Sequence, residues 1–391
     1  MHTASRIVAA LLAGLALSAR ADAITDWTVK AGELLADAKL GTPPAVRVMA
    51  IVQTAVHEAA SLARGASLDA AVAAANRVTL ARMIPAQQAA IDAAYQAALA
   101  PIADGPAKSH GIAAGEKAAA SVLAQRADDG AAAAEAYRPH TSAGAYVPTA
   151  APAVPHWVQR KPWLMTGAAQ FRPGPPPALT SDVWARDYNE VKALGGKTST
   201  RRSAEQTEIA RFWEYSLPPI YHGIVRSVAV QPGRDPLRNA RLFAAAAQAM
   251  DDAMIGIFDA KYHYHFWRPT TAIRNGDIDG HDATERDAGW APFIDVPMHP
   301  EYPSAHSVLA AAVGAVIRAE VGDGPMPTLT TSSPSAKGAS RRWASVDEMT
   351  REVANARVYE GVHFRTSTEV GAAMGARIGE LAADKLLRPA H

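Results

Sequence analysis

The sequence contains no cysteine among its 391 residues. Disulfide bonds, thiolate nucleophiles, cysteine zinc sites and iron–sulfur clusters are therefore excluded. The formal net charge is only +1, so bulk charge gives no support for binding to nucleic acid. Beyond the N-terminus, no apolar run is long enough for a transmembrane helix. Apolar residues make up 49% of the chain, with alanine prominent, and such a composition favours a packed helical protein.

The first 23 residues are typical of a secretory signal peptide. Arg6 precedes an apolar run at 7–19, which is too short to span a bilayer as a permanent helix. The small-x-small pattern at residues 21–23 predicts cleavage after Ala23. We therefore expect a periplasmic or secreted protein, and the alternative is a cytoplasmic N-terminal helix.

Helical periodicity and capping signals organise most of the remaining chain, and no alternating strand pattern or internal repeat is evident. Prolines interrupt this pattern over residues 139–177, which we call the Pro-rich arm. We predict an all-α protein with a signal peptide at 1–23, an N-terminal helical region at 24–180 that includes the arm, and a C-terminal helical domain at 181–391. The predicted helices are 27–63, 70–100, 111–126, 181–194, 203–215, 236 to about 265, an Ala-rich helix that follows the segment 299–306 and ends at 320, 345–360 and 366–387.

Two cations end the longest predicted helix. Lys261 and Arg268 are seven residues apart, which places them on one helix face, and Pro269 then stops the helix. The segment between them is aromatic and rich in histidine. A solvated basic face is the alternative.

Two further segments carry polar residues of chemical interest. Ser304 stands at a predicted helix N-cap, two residues before His306, and the free N–H groups of a helix start can bind anions. Arg357 and His363 can converge only if the helix ends between them, which Gly361 allows. A plain N-cap and core-edge side chains are the respective alternatives.

Together the three segments contain the groups that a buried, multiply charged oxyanion requires. Three cations neutralise its oxygens, and a hydroxyl and backbone N–H groups complete the donor shell. One histidine bonds the central atom, and the other transfers protons. Cations left unpaired in a dry pocket would be costly, so the set implies the anion.

The order and spacing of these segments, Lys-x6-Arg-Pro, Pro-Ser-x-His and Arg-x5-His, resemble the superfamily of vanadium-dependent haloperoxidases and type 2 phosphatidic acid phosphatases. The sequences at 259–274, 297–303 and 27–63 also resemble the bacterial vanadium-haloperoxidase-like branch in particular. The resemblance implies an all-α fold of helical bundles around a vanadate cofactor, and phosphate can occupy the same site.

The resemblance also implies a role for each motif residue. His363 would be the axial ligand of vanadium, and His306 the acid–base group. The catalytic set would then be His306, His363 and Lys261. The cofactor would be bound by Lys261, Arg268, Ser304, Ala305, Arg357 and His363.

Two positions differ in how they relate to the family pattern: Ala305 departs from it, and His299 stands where the family itself varies. The family usually has glycine where this chain has Ala305, which keeps the backbone N–H but adds a methyl group and disfavours positive φ. We expect anion binding to survive in a slightly tighter pocket. His299 occupies a position on the halide or peroxide side of the pocket, where it would tune halide preference or only pack.

The resulting hypothesis is a haloperoxidase that oxidises halide with hydrogen peroxide to hypohalous acid, which halogenates a small organic acceptor. One alternative is an exported acid phosphatase that forms a phosphohistidine at His363. Another is a non-catalytic oxyanion-binding protein in which Ala305 has silenced the chemistry. Small-residue stripes on the last helix and the Pro-rich arm would suit a homodimer.

Overall fold

The computed structural model describes residues 22–388, so nearly all of the predicted signal peptide lies outside the described residues. Over this range the chain is helical with one short hairpin, which confirms the all-α prediction. None of the helices in this range is long and apolar enough to cross a membrane. The helices are α1 (Ala23–Asp37), α2 (Thr42–Leu62), α3 (Leu68–Met83), α4 (Gln88–Leu99), α5 (Pro106–Gln125), α6 (Asp182–Leu194), α7 (Ala204–Trp213), α8 (Pro218–Ala229), α9 (Pro236–Tyr264), α10 (Pro269–Arg274), α11 (Ala305–Val321), α12 (Val346–Tyr359) and α13 (Arg365–Leu386).

Local capping chemistry sets several helix starts. Ser203 and Gln206 form the predicted capping box at α7. The Asp235 side chain accepts from the Leu237 N–H at the start of α9, where Pro236 occupies the first helical position. Asp22 caps α1 and also accepts a hydrogen bond from the Asn239 amide at 2.8 Å, and cleavage after Ala23 would remove both contacts.

Helix α9 is the centre of the molecule. Nearly every residue from Asn239 to Lys261 is buried, because α2, α8, α11 and α13 pack around it. A single apolar cluster joins the N-terminal helices to α9, α11 and α13. The predicted regions at 24–180 and 181–391 therefore share one core, and the boundary between them stays a prediction.

Helices α11 and α13 pack unusually close together, which the glycine stripe of α13 permits. A Cβ at Gly375 would lie 2.1 Å from the Val308 carbonyl oxygen, and one at Gly379 would lie 2.2 Å from the Ala312 carbonyl oxygen. The stripe is thus used inside the chain and gives no support to a homodimer. This contact anchors α11, whose first turn lies in the candidate site.

The Pro-rich arm is irregular as predicted, apart from a short 3-10 turn, and it packs along α9. Arg160 in the arm bridges Asp129 and Asp251, and all three side chains are at most 1% exposed. Asp252 accepts from three consecutive backbone N–H groups at Trp163–Met165. These ion pairs and hydrogen bonds hold the arm against the helix that carries Lys261.

The prediction that no strands are present was wrong in one place. Strands β1 (Leu329–Ser333) and β2 (Ala339–Trp343) form an antiparallel hairpin. Its buried positions include Thr331 and Ser333, whose polar side chains remove the apolar alternation that signals a strand. Burial is tolerated because Ser333 donates a hydrogen bond to the Phe212 carbonyl oxygen at 2.6 Å.

Candidate active site

The end of α9 and the segment after it bring two cations into the site by different routes. Helix α9 ends at Tyr264, where His265 adopts a left-handed conformation with φ of 53°. Arg268 is extended and immediately precedes α10. The prediction that Lys261 and Arg268 share one helix face was therefore wrong. The left-handed residue redirects the chain before Pro269, which begins α10.

The turn between α12 and α13 places Arg357 and His363 beside the same cavity. Helix α12 ends at Tyr359, and Gly361 has φ of 78°. A Cβ on Gly361 would lie 2.3 Å from the Gly195 carbonyl oxygen, so both conformation and space require glycine. The predicted break at Gly361 is confirmed.

The start of α11 supplies the third segment. Ser304 is its N-cap residue, as predicted, but its side chain makes no capping bond and instead accepts from the Ser307 hydroxyl at 3.2 Å. Ala305 is the first helical residue, so the methyl group causes none of the positive-φ strain considered above. The N–H groups of this first turn have no partner within the helix.

These segments meet at a cavity of about 360 Å³. Its wall is partly apolar, with Met254, Phe258 and Leu309, and it carries Glu214 and Asp295 as acidic side chains. Lys261, Arg268 and Ser304 lie directly behind the lining. The predicted site residues that line the cavity are His299, Ala305, His306, Arg357 and His363.

The three predicted cations are almost completely removed from solvent, at 0% exposure for Lys261, 1% for Arg268 and 2% for Arg357. The Lys261 ammonium donates to the carbonyl oxygens of Pro300, Glu301 and Pro303 at 3.0, 2.7 and 2.6 Å. All three of its donors therefore stabilise the loop that leads into Ser304. Burial, then Arg268, hold the pKa of Lys261 well below 10.5, so Lys261 supports the site from behind mainly through these three hydrogen bonds.

Arg268 is held by acceptors on two segments. Its guanidinium donates to the carbonyl oxygens of His299 at 2.9 Å and Val362 at 2.8 Å, and it lies 2.9 Å from His299 Nδ1. Burial lowers the pKa of Arg268 to about 10, which still leaves it charged at neutral pH. It therefore fixes the relative positions of two lining histidines while retaining a positive charge.

Arg357 faces the cavity and is incompletely satisfied. It pairs with buried Glu360, and its Nη1 is 3.5 Å from His306 Nε2. Its buried Nε has no hydrogen-bond partner among residues 22–388. A buried guanidinium donor without an acceptor is costly, so this geometry favours an anion at the cavity.

The two predicted catalytic histidines are neutral in this environment. Burial, then Arg268 and Lys261, hold the pKa of His363 well below 6.5. Burial, then Arg357 and Lys261, lower the pKa of His306 in the same way. His299, whose ring packs edge-on against Phe258, also has a pKa well below 6.5 because of burial and the neighbouring Lys261. Burial is the largest cause for all three histidines, and the positive potential of the neighbouring cations adds to it; a bound anion would offset this second contribution.

Comparison with known proteins finds a family model that matches the part of the chain carrying the candidate site. The family model for the VCPO second helical-bundle domain matches residues 241–391, which contain all three motifs. The match covers the C-terminal part of the chain, where the order of the three motifs also resembles this family.

Similar proteins include vanadium chloroperoxidase from Curvularia inaequalis, which is 30% identical to this chain over 175 residues. That match covers 37% of this chain and 28% of the relative, so the chain aligns with less than a third of that protein's length. Among solved structures, a bacterial vanadium-dependent iodoperoxidase has a TM-score of 0.78 at 24% identity, with 93% of this chain and 96% of that chain covered. A bacterial vanadium-dependent chloroperoxidase in its holo form has a TM-score of 0.69 at 18% identity, with 95% of each chain covered. At these identities the two structures show the shared fold.

The residues of the candidate site fit a tetrahedral oxyanion such as vanadate. Three observations support this fit: Arg357 Nε has no partner among the described residues, three basic side chains are buried, and burial together with those side chains keeps the histidines neutral. Two buried carboxylates offset part of the charge, at Glu301 and Glu360. Burial raises their pKa values to about 7 and about 8, which weakens this offset.

These two carboxylates were not predicted from the sequence. Glu301 accepts from His363 Nδ1 at 2.7 Å, and Glu360 pairs with Arg357. In the sequence, each is the single acidic residue within its motif segment: Glu301 lies between His299 and Ser304, and Glu360 lies between Arg357 and His363. Acidic residues of this kind are usually solvated, and only the tertiary structure shows that both are buried.

Proposed function

We propose that this protein is a vanadate-dependent haloperoxidase that oxidises halide with hydrogen peroxide to hypohalous acid. The observation that carries the proposal is one cavity lined by Arg357 and two neutral histidines, with the buried Lys261 and Arg268 beside its lining. Arg357 Nε also lacks an acceptor among the described residues. The similar proteins described above, an iodoperoxidase and chloroperoxidases, support the same activity.

The proposed cofactor is vanadate held by Arg268, Ser304, Ala305, Arg357 and His363, with the charge of Lys261 behind the loop. Bound vanadate would supply a Lewis acid that activates hydrogen peroxide toward halide. The cations are fixed before any substrate enters, so they stabilise developing negative charge without reorganisation. The cavity of about 360 Å³ leaves room for halide beside the anion, next to the apolar part of its wall.

The proton chemistry is assigned to His306. Because its pKa lies well below 6.5, its imidazole is neutral at pH 7 and can accept a proton from hydrogen peroxide. An anion bound beside it would raise that pKa and favour return of the proton to the departing oxygen. His363 contributes the lone pair of Nε2, which lies 3.3 Å from Arg268 Nη1.

Matched assays test the proposal against its alternatives. The purified chain is loaded with orthovanadate and supplied with peroxide and iodide or bromide, and halogenation of an organic acceptor is followed. We expect turnover that disappears in His363→Ala and persists in His110→Ala, which changes an exposed histidine on α5. The vanadate-free chain is tested in parallel on an aryl phosphate.

The outcomes are distinct. Hydrolysis of the aryl phosphate that vanadate inhibits, without halogenation, would replace the proposal by an acid phosphatase using His363 as the nucleophile. Tight vanadate binding with neither reaction would indicate an oxyanion-binding protein.

Halide preference, which we assign to the surroundings of His299, is measured by comparing iodide with bromide. Export after signal-peptide cleavage and a homodimeric state remain proposals that rest on the sequence.

A further inference from the structure

Glu301 connects three parts of the candidate site. Its backbone carbonyl accepts from Lys261 Nζ at 2.7 Å, and its backbone N–H donates to the Phe266 carbonyl oxygen at 2.9 Å. Its side chain crosses to the turn between α12 and α13, where Oε1 accepts from the Phe364 N–H at 3.0 Å and lies 2.7 Å from His363 Nδ1. The residue is completely buried, so this geometry is maintained without competing water.

The contact with His363 selects one form of the imidazole. A neutral histidine carries its proton on one ring nitrogen and a lone pair on the other. Glu301 Oε1 accepts hydrogen bonds, so it favours the tautomer with the proton on Nδ1. The lone pair then lies on Nε2, beside Arg268 and in the cavity lining. A histidine must present such a lone pair to act as a ligand or as a nucleophile.

We infer that Glu301 is a positioning residue that holds the proton on His363 Nδ1 and directs the Nε2 lone pair toward the bound oxyanion. The inference deepens the proposed function and rests on it for the identity of that anion. In known metal sites, loss of a carboxylate behind a histidine ligand lowers affinity by about 10- to 100-fold. Glu301 occupies the corresponding position behind His363.

The first test examines the imidazole itself and needs no anion. Nitrogen-15 labelling of histidine, with His363→Ala to assign the signal, reports which nitrogen of His363 is protonated. We expect the Nδ1–H form in the wild-type chain and in Glu301→Gln, because the glutamine oxygen can also accept. We expect the Nε2–H form to become substantial in Glu301→Ala. A wild-type His363 protonated on Nε2 would overturn the inference.

The second test measures binding of orthovanadate alone by calorimetry. Glu301→Ala should weaken binding by about 10- to 100-fold, and Glu301→Gln should stay within about threefold of the wild type. Glu320→Ala is the matched control, because it removes a buried carboxylate that pairs with Arg234 and Arg238 away from the site. A general loss of packing would affect both alanine variants, whereas the inference requires a loss only at Glu301.

The outcomes separate this inference from the proposed function. Vanadate binding that depends on Glu301 in a chain without halogenation supports the inference and contradicts the haloperoxidase proposal. If the wild-type chain does not bind vanadate, the proposed function fails and the tautomer of His363 still decides the role of Glu301. If Glu301→Ala does not fold, the wild-type and Glu301→Gln spectra decide it. Binding in folded Glu301→Ala within twofold of the wild type would refute the inference.

Discussion

At the scale of single residues, burial controls the chemistry of this protein. Lys261, Arg268 and Arg357 are costly to bury, and each has different partners. Lys261 donates to backbone carbonyls, and Arg268 donates to backbone carbonyls and lies beside two histidine rings. Arg357 pairs with a carboxylate, and its Nε has no acceptor among the described residues. The same desolvation keeps His306 and His363 neutral. A residue's position in a motif therefore indicates its type of chemistry, while its partners determine its charge state.

A buried histidine outside the site leads to a prediction about acid stability. His222 is 3% exposed, stacks on Phe243, and has a pKa lowered to about 4 by burial. The unfolded chain takes up this proton near pH 6.5 and the folded chain only near pH 4. The stability contribution is therefore complete above about pH 6.5 and falls as the pH drops toward 4, by about 3 kcal/mol.

The measurement is the free energy of urea unfolding at pH 7 and pH 4.5. We expect His222→Phe to lose about 2–3 kcal/mol less than the wild type between these two pH values. His110→Phe, at an exposed position, is the control and should behave as the wild type does. Equal losses in wild type and His222→Phe would contradict the assignment.

At the scale of elements, the site depends on where helices begin and end. Three helix boundaries each position one pair of functional side chains. They are the end of α9 with the segment after it, the start of α11, and the Gly361 turn after α12. The close packing of α11 on α13 then fixes the first turn of α11. Glycines of α13 maintain that distance, because backbone carbonyls of α11 occupy the space of a side chain.

This packing predicts that Gly375→Ala destabilises the protein. Alanine improves helix propensity by about 1 kcal/mol, but its Cβ would lie 2.1 Å from the Val308 carbonyl oxygen. The helices must separate, and we expect a net loss of about 1–3 kcal/mol in the free energy of unfolding. Thermal and urea unfolding measure it. Gly167→Ala, where nothing lies within 4 Å, is the control, and an equal effect of the two changes would show the packing argument to be wrong.

At the scale of the whole molecule, the Pro-rich arm and the N-terminal helices support the site without lining most of it. The arm is attached to α9 through buried ion pairs, and α9 carries Lys261 at its end. Segment 139–177 thus belongs to the core structure even though it has little regular secondary structure. Its sequence resembles a linker because its hydrogen-bond partners are on other segments.

The arm can be loosened by one substitution. Arg160→Ala would leave Asp129 and Asp251 buried without this partner, and we expect a loss of about 3–5 kcal/mol in the free energy of unfolding. Limited proteolysis should then cut within 139–177 more rapidly. Arg77→Ala is the matched control, since its pair with Asp92 is 38% and 40% exposed and contributes less than about 1 kcal/mol. Similar proteolysis of the two variants would argue against the anchoring role.

The sequence alone was sufficient for the all-α class, for most helix positions and for the order of the three motif segments, because helical periodicity and caps such as Ser203 are local properties. It also predicted the Gly361 break, since a positive φ is a preference of glycine itself. The hairpin at Leu329–Trp343 escaped detection because hydrogen bonds to distant residues, and not apolar alternation, allow its burial.

Only the tertiary structure showed that Lys261 donates to loop carbonyls, that Arg268 arrives from a separate segment, and that Glu301 and Glu360 are buried partners of the site. Each of these facts depends on desolvation by segments that are distant in the chain. Desolvation decides whether a charged side chain is solvated or must find a partner, and no local pattern records it.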